Sequence, residues 1–433
     1  MPATTPDSSF LNAMRAETEA RARRAEPIAS DHRGAPDDVA VRVRQAADGV
    51  TGEVVALARD LHAHPETGFS EERSVGAIAE LLQAHGIAAE VGVFGLDTAL
   101  CARSGSAGPV VAILAEYDAL PGVGHACGHN IIAATAVGAF IALAGSSVPG
   151  RVILLGTPAE EGGSGKEIMA RAGAFDGVDV AIMLHPFGYD VAEQPFLGRR
   201  QVEITFEGIA AHASAQPYMG RNALDAAALC YQGVAMLRQH IPPSDRLHGV
   251  IVDGGQVPNV VPERAMSRWY LRSAAPATLR DLSARVTAIA EGAALMTGCG
   301  VSLRWDPQPF TLPIRHNRTL VARWAQHQKA QGRISLPPGV VPESLAASTD
   351  FGNVSMRIPG IHPMIAVSEP EIALHTKEFA AAAGSSAADS AVRDGTIGLA
   401  LTAADYLSDQ DLRDDVAAEF AAGGALDVAR YFD

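Results

Sequence analysis

Apolar positions in the stretch "TGEVVALARDLHA" (51–63) recur at helical spacing, which predicts a helix stopped by Pro65. Three short β-rich runs follow, each closing on polar or glycine residues: "PVVAILAEYD" (109–118), "RVILLGTPAEE" (151–161) and "VDVAIMLHP" (178–186). A helix-length apolar segment, 130–145, separates the first two, and "SGKEIMARAGAF" separates the last two. This βαβαβ rhythm predicts an α/β domain with a mostly parallel sheet covered by helices. Ligands of such sheets bind beyond the carboxyl ends of the strands. Asp118, Glu160, Glu161 and His185 all fall at those ends, and Cys127 and His129 come just after the first.

The rhythm changes at about residue 200. "RQVEITFEG" alternates apolar and polar positions, and "NALDAAALCYQGVAMLRQHI" reads as a helix. Two strand runs, "HGVIVDGGQ" and "ERAMSRWYLRS", a helix over 277–298 and the strand "GVSLRWD" complete a β-α-β-β-α-β order, the ferredoxin-like arrangement. Helical patterns return in "NRTLVARWAQHQKAQG" and in the alanine-rich 384–407, with the strand "HPMIAVS" between them. The organisation expected is therefore a polar extension, part helical, over 1–35, an α/β domain built from 36–199 and 310–433, and a smaller domain, 200–309, inserted into it.

Length and composition narrow the class. A chain of 433 residues exceeds what one core supports, so two domains are the default. The net charge of −15 argues against nucleic acid or an anionic membrane as partner, since both need basic faces. The longest apolar run, 131–145, is shorter than the ~20 residues that span a bilayer. No apolar segment follows the arginines of the N-terminal stretch, so it does not read as a signal peptide. The four cysteines (101, 127, 230, 299) form no CxxC pair and suggest no disulfide framework, which makes the cytoplasm the simplest compartment.

Two stretches carry candidate chemistry. "PGVGHACGHN" (121–130) places His125, Cys127 and His129 within five positions, a set that suits a transition metal, a nucleophilic cysteine with its base, or a glycine-rich turn. "TPAEEGGSGK" (157–166) sets two carboxylates side by side. If both are buried they repel, unless a cation lies between them. A metal ion would let one glutamate act as ligand and leave the other as general base. The same stretch is neither a Walker A loop, since Glu160 and Glu167 stand where Gly and Ser/Thr are required, nor a nucleophile elbow, since Lys166 follows Gly165. His62 and His64 form an H-x-H pair, but on a helical pattern they read as a helix end. His185 and His375 each follow or precede an element end. In the inserted domain, His212, Asn259 and Arg272 together supply an oxyanion donor, an amide and a guanidinium fork for a carboxylate.

The stretches "AEYDALPGVGHACGHN", "GTPAEEGGSGKEIM", "MLHP", "GIAAHASAQP", "GRNALDA", "VPNVVPE", "ASTDFGNVS" and "LHTKEF" occur in this order. Their succession, over roughly 50–407, resembles the aminoacylase/carboxypeptidase family of two-metal exopeptidases, in the amidohydrolase branch of aminobenzoyl-glutamate hydrolases and β-alanyl-lysine-type dipeptidases. The resemblance implies Cys127, His129, Glu161, His185 and His375 as ligands of two divalent metal ions per subunit, for which zinc, manganese and cobalt all suit. It implies Glu160 as general base, Asn259 and Arg272 as substrate contacts, and Asp118 as the group that orients a ligand. The inserted domain would be a lid and the interface of a homodimer, with His212 reaching the partner's site to stabilise an oxyanion. Glu116 stands where many relatives carry a histidine, and no aspartate occupies the bridging place. The activity implied is hydrolysis of the amide bond of N-acyl or aminoacyl amino acids. A non-catalytic binding member of the same fold, a dipeptidase narrow for basic dipeptides, and a cysteine hydrolase using Cys127 remain as alternatives.

Overall fold

The computed structural model describes residues 7–424 and 426–433. The chain forms two compact units. One holds the chain up to Gln194 with Arg315–Ala346 and Asn353–Tyr431; the other holds Pro195–Ile314, Ala347–Gly352 and Phe432–Asp433. In chain order the strands are β1 (Ala89–Val91), β2 (Leu100–Ser104), β3 (Val110–Ala115), β4 (Arg151–Gly156), β5 (Val180–Ile182), β6 (His185–Phe187), β7 (Gly198–Glu207), β8 (Arg246–Asp253), β9 (Arg264–Ser273), β10 (Gly300–Trp305), β11 (Gly360–Ile361) and β12 (Met364–Ala366).

In the first unit six strands form one sheet in the order β1-β2-β4-β3-β5-β11. The β4-β3-β5-β11 part is parallel, and β1 and β2 join it antiparallel. The sheet is thus mixed: its larger part is parallel, as expected, and its β1-β2 edge is not. The physical reason is connection length: the short stretch between β1 and β2 cannot hold the crossover of a dozen or more residues that a parallel pair needs. The expected strand 178–186 also divides. β5 stays in the sheet, whereas β6 pairs with β12 in a separate two-stranded sheet, so His185 opens a strand rather than trailing one.

The apolar segment 131–145 lies within the helix His129–Ala144, which is buried on nearly every side, as its all-round apolar character requires. It packs against β3 and against the helices Asp37–Ala63 and Ser386–Ser408. Gly138 permits this close approach, because a Cβ there would lie 2.9 Å from Thr396 and 3.1 Å from Val54. The helix Asp37–Ala63 starts well before the periodic stretch noted above and is capped by His64. A helix at Glu72–Ala84 was not anticipated, and Ser9–Ala22 is helical within the N-terminal extension. No helix among the described residues is long and apolar enough to cross a membrane.

The second unit shows the β-α-β-β-α-β order in full: β7, the helix Ala223–Leu237, β8, β9, the helix Pro276–Thr297 and β10. Its sheet runs β10-β7-β9-β8, antiparallel throughout. Alternation along β7 and β9 sends Val202, Ile204, Phe206, Trp269 and Leu271 into a core shared with the two helices. The alternate residues, Arg199, Gln201 and Glu203 on β7 and Arg268, Tyr270 and Arg272 on β9, line the opposite, more open face.

Candidate metal centre

The site begins where β3 stops. Glu116, Tyr117 and Asp118 follow Ala115 directly and are all buried. The chain then turns through the glycine-rich stretch to Gly128, which caps the helix His129–Ala144 in a left-handed conformation (φ 77°). Glycine is required twice here: for the positive φ, and because a Cβ would come within 2.8 Å of Pro186. That packing brings the cysteine turn against the start of β6, and so Cys127 and His129 toward His185.

Each histidine is oriented by its remote nitrogen. His129 Nδ1 lies 2.9 Å from the Asp118 carbonyl and 3.0 Å from Asp118 Oδ1, so it donates and leaves Nε2 as the lone-pair nitrogen. His185 Nδ1 donates to the Pro186 carbonyl at 2.7 Å, with the same consequence. Asp118 also accepts the Glu161 N–H through Oδ2 at 2.9 Å, so one carboxylate steadies two of the converging residues. Buried Glu71, absent from the sequence reading, accepts the Ala159 N–H at 2.9 Å and the Thr98 hydroxyl at 2.7 Å. Between them, Glu71 and Asp118 fix the turn after β4 on which Glu160 and Glu161 stand. His375, at φ 65°, donates its backbone N–H to the Ala126 carbonyl, and its Nε2 lies 3.0 Å from Cys127 Sγ and 3.5 Å from Glu161 Oε1.

Six of the expected residues therefore converge. Cys127 groups with His129 and His185, and again with Glu161 and His375, while His129 groups with Glu160 and Glu161; within each set the ligand atoms lie within 4.8 Å of one another. Cys127 is shared by the first two sets. His129 Nε2 and Glu161 Oε1 are buried without a hydrogen bond, an arrangement that is costly unless an electrophile is bound. Soft sulfur, imidazole and carboxylate donors around such orphaned atoms fit a transition-metal pair.

The electrostatics point the same way. Burial, then the charge of Glu161, pushes the Cys127 thiol well above its ordinary range, the opposite of an activated nucleophile. Burial would raise the Glu161 carboxyl too, but His375 and His129 outweigh it and hold it at about 2. Burial and the neighbouring His129 push His185 down to about 3. Burial pushes His125 to about 3 as well, and its ring lies against His62 rather than among the ligands.

Besides Glu71, sequence reasoning passed over Asp350, which groups with Glu116 and Glu160, and a buried lysine. Lys166 is fully buried, and its Nζ lies 2.5 Å from Glu116 Oε1. The other oxygen, Glu116 Oε2, lies 3.4 Å from His129 Nε2. The available signal was compositional: Lys166 is one of three lysines in a chain whose cations are otherwise arginine. A compact ammonium suits one carboxylate oxygen in a closed space better than a planar fork does.

The remaining candidates lie in the second unit. His212 is exposed, and its Nδ1 accepts the N–H groups of Ser214 and Ala215 at 3.3 and 3.2 Å, so Nε2 carries the proton and can donate it. Asn259 lies beside it, its carbonyl accepting the Ala213 N–H at 3.0 Å. Arg272 stands on β9, beside Arg199 of β7.

A buried set of Cys, His and Glu side chains converging at the carboxyl end of an α/β sheet is a donor set suited to divalent metal ions. Residues 112–389 match peptidase family M20/M25/M40, and the chain belongs to that family. It is accordingly a metal-dependent hydrolase acting on amide bonds. The chain is 36% identical to an Xaa-Arg dipeptidase of Mus musculus over 395 residues, covering 88% of this chain and 91% of the relative. It is 37% identical to one of the two chains of the p-aminobenzoyl-glutamate hydrolase of Escherichia coli over 273 residues, covering 58% and 57%. Among solved structures, its fold is similar to an aminobenzoyl-glutamate utilization protein from Klebsiella pneumoniae (TM-score 0.62, 20% identity, 83% of this chain and 98% of that one). It is likewise similar to a dinuclear metal binding peptidase from Bacillus subtilis (TM-score 0.60, 22% identity, 80% and 98%).

Proposed function

We propose that the protein hydrolyses the amide bond joining an acyl or aminoacyl group to an amino acid, using two divalent metal ions held by Cys127, His129, Glu161, His185 and His375. Zinc and manganese, with cobalt, suit these donors. Bound there, such ions would supply Lewis acidity toward the scissile carbonyl and an acidified water. Glu160 is the carboxylate of the cluster not needed as a ligand, and it takes the proton of the attacking water and returns it to the leaving amine. His212, with its proton on Nε2, stabilises the oxyanion, and Asn259 and Arg272 hold the substrate. Asp118 fixes His129 in the ligating tautomer.

The observation that carries this reading is the convergence of six side chains around buried atoms lacking hydrogen bonds. The test is Glu160→Gln. It should leave the metal content measured by plasma mass spectrometry unchanged and abolish hydrolysis of N-acyl amino acids; retained turnover refutes the role. The thiol-hydrolase alternative is disfavoured by the raised Cys127 pKa.

The second unit, which we assign as lid and dimerisation domain, supports a homodimer through β8. That edge strand exposes Val250, Ile251 and Val252 in succession, an unpaired rim that a second copy would cover. Four free cysteines suit a reducing cytoplasm. One relative is named for an Xaa-Arg dipeptide and another for p-aminobenzoyl-glutamate, so the leaving amino acid is the open question.

A further inference from the structure

Of the side chains that converge on the metal centre, His375 is the most exposed, and the loop that leads to it is sparsely tied. Residues 368–374 run from β12 toward the helix Lys377–Ala382. Among the described residues, the backbone of this loop hydrogen-bonds only within 368–376. The Ile372 N–H donates to the Glu369 carbonyl at 3.0 Å, and the Ser368 and Thr376 hydroxyls donate to the Glu369 and Ala373 carbonyls. His375 itself stands at φ 65°, a left-handed backbone that costs energy in a residue with a Cβ, and its N–H reaches the Ala126 carbonyl at 2.9 Å. Such a conformation persists only where its surroundings impose it.

Part of those surroundings is the N-terminal helix Ser9–Ala22, which belongs to the same compact unit. Pro370 packs on Gly188, where a Cβ would lie 2.8 Å from the Pro370 Cα. Arg15 of the helix sets Nη1 3.3 Å from Glu371 Oε2, the one ion pair of the loop among the described residues. Burial raises the Tyr189 phenol above its ordinary range, Arg15 lowers it, and Glu19 and Glu371 raise it, so these charges gather around that ring. One helical turn further on, Thr18 is the helix's buried residue, and Arg21 Nη1 then donates to the Gly339 carbonyl at 3.0 Å. A helix of 14 residues is marginal in water by itself, so this one depends on its docking. The extension is anchored firmly behind it: Arg323 donates to the His32 carbonyl at 2.7 Å, and the Ala35 N–H donates to Asp405 at 2.8 Å. The helix is therefore tethered at one end and lightly held over the loop, which makes its undocking a low-cost local opening.

We infer that the helix Ser9–Ala22 is a positioning element of the metal centre. Through Arg15 it holds Glu371 and so restrains the loop that presents His375, slowing loss of the ion that His375 shares with Cys127 and Glu161. The inference rests on the reading above, in which His375 is a metal ligand. Arg15 and Thr18 act through the loop and not on the ion. A helix serving only general stability would affect both ions alike.

The test uses full-length chains carrying Glu371→Arg, Arg15→Glu with Glu371→Arg, Thr18→Asp, or Ala16→Asp, the last at an exposed position of the same helix. The first readout needs no metal: hydrogen exchange of the His375 amide in metal-free protein, followed by mass spectrometry. Glu371→Arg should speed that exchange about two- to fivefold, the scale of an exposed ion pair. Thr18→Asp, which forces a charge into the docked face, should speed it about tenfold or more. The charge-reversed pair should recover most of the parent's protection, and Ala16→Asp should match the parent. The second readout is zinc release to a chromogenic chelator, whose faster phase should quicken by the same factors while the slower phase holds. Parent-like exchange in Glu371→Arg or in Thr18→Asp overturns the inference. So do a charge-reversed pair no better than Glu371→Arg, an effect of Ala16→Asp equal to that of Thr18→Asp, an unprotected His375 amide in the parent, an unchanged faster phase, and equal quickening of both phases. Failure of the parent to bind zinc refutes the metal-ligand reading instead, and the exchange ratios still decide whether the helix holds the loop.

Discussion

Removal of the Lys166 ammonium tests how the centre tolerates its density of carboxylates. Glu116, Asp118, Glu160 and Glu161 all lie at the carboxyl edge of the sheet, and Glu116 and Lys166 are both fully buried with 2.5 Å between their charged atoms. Lys166→Met preserves most of the side-chain volume and deletes the charge. Glu116 would then face His129 Nε2, at 3.4 Å, without the ammonium beside it. Deleting one partner of a buried pair costs about 3–5 kcal/mol, because an uncompensated charge stays behind, whereas removing both leaves none. The assay is urea unfolding of metal-free protein followed by circular dichroism, for wild type, Lys166→Met, Glu116→Gln and the double variant. Each single change should lower stability by about 3–5 kcal/mol, and the double variant should be more stable than the sum of the two predicts by at least about 2 kcal/mol. Because Glu116 faces His129, Lys166→Met should also weaken metal retention against a chelator. Additive losses, or a loss below about 1 kcal/mol for Lys166→Met, would show that the ammonium does not neutralise Glu116.

Gly128→Ala should destabilise the protein by about 1–2 kcal/mol for the left-handed backbone alone, with a further loss from overlap with Pro186, and should lower bound metal; an unchanged melting temperature refutes the cap argument. His316 is held at about 4 by burial while its Nε2 donates to the Gln194 carbonyl at 2.9 Å. Its folded pKa lies below the unfolded 6.5, so its contribution is complete above about pH 6.5 and falls toward pH 4 as the unfolded chain takes the proton. The slope is up to about 1.4 kcal/mol per pH unit. Urea midpoints of metal-free His316→Gln between those limits should vary less with pH than those of wild type, and parallel curves would contradict it. His375 is the most exposed of the converging side chains (55%), so His375→Ala should lose metal first, seen as about half the wild-type content after mild chelation.

What could be read along the chain and what could not divide by how far apart the cooperating residues lie. Cys127 and His129 are separated by one residue and Glu160 and Glu161 by none, and both pairs follow strands whose apolar runs are conspicuous. Spacing alone therefore placed them at one sheet edge. Lys166 stands in plain view, in a stretch that fails both the phosphate-loop and the nucleophile-elbow patterns, but nothing local shows that an ammonium fifty residues beyond Glu116 returns to meet it. Glu71 is hidden for the same reason: its acceptor role depends on a turn formed 88 residues later. β1 and β2 escaped because a three-residue strand and a five-residue strand ending in Arg103 and Ser104 are too short to establish a period. Arg199 is the sharpest case. On β7 it is one of two adjacent arginines, and sequence cannot tell which belongs to the core side with Asp306 and which to the open face. Only the pairing register sets Arg199 opposite Arg272, and a slip of one residue would have turned it to the other face. Side chains that a single turn brings together were thus legible, whereas the residues that tune charge depend on register and on contacts between distant segments.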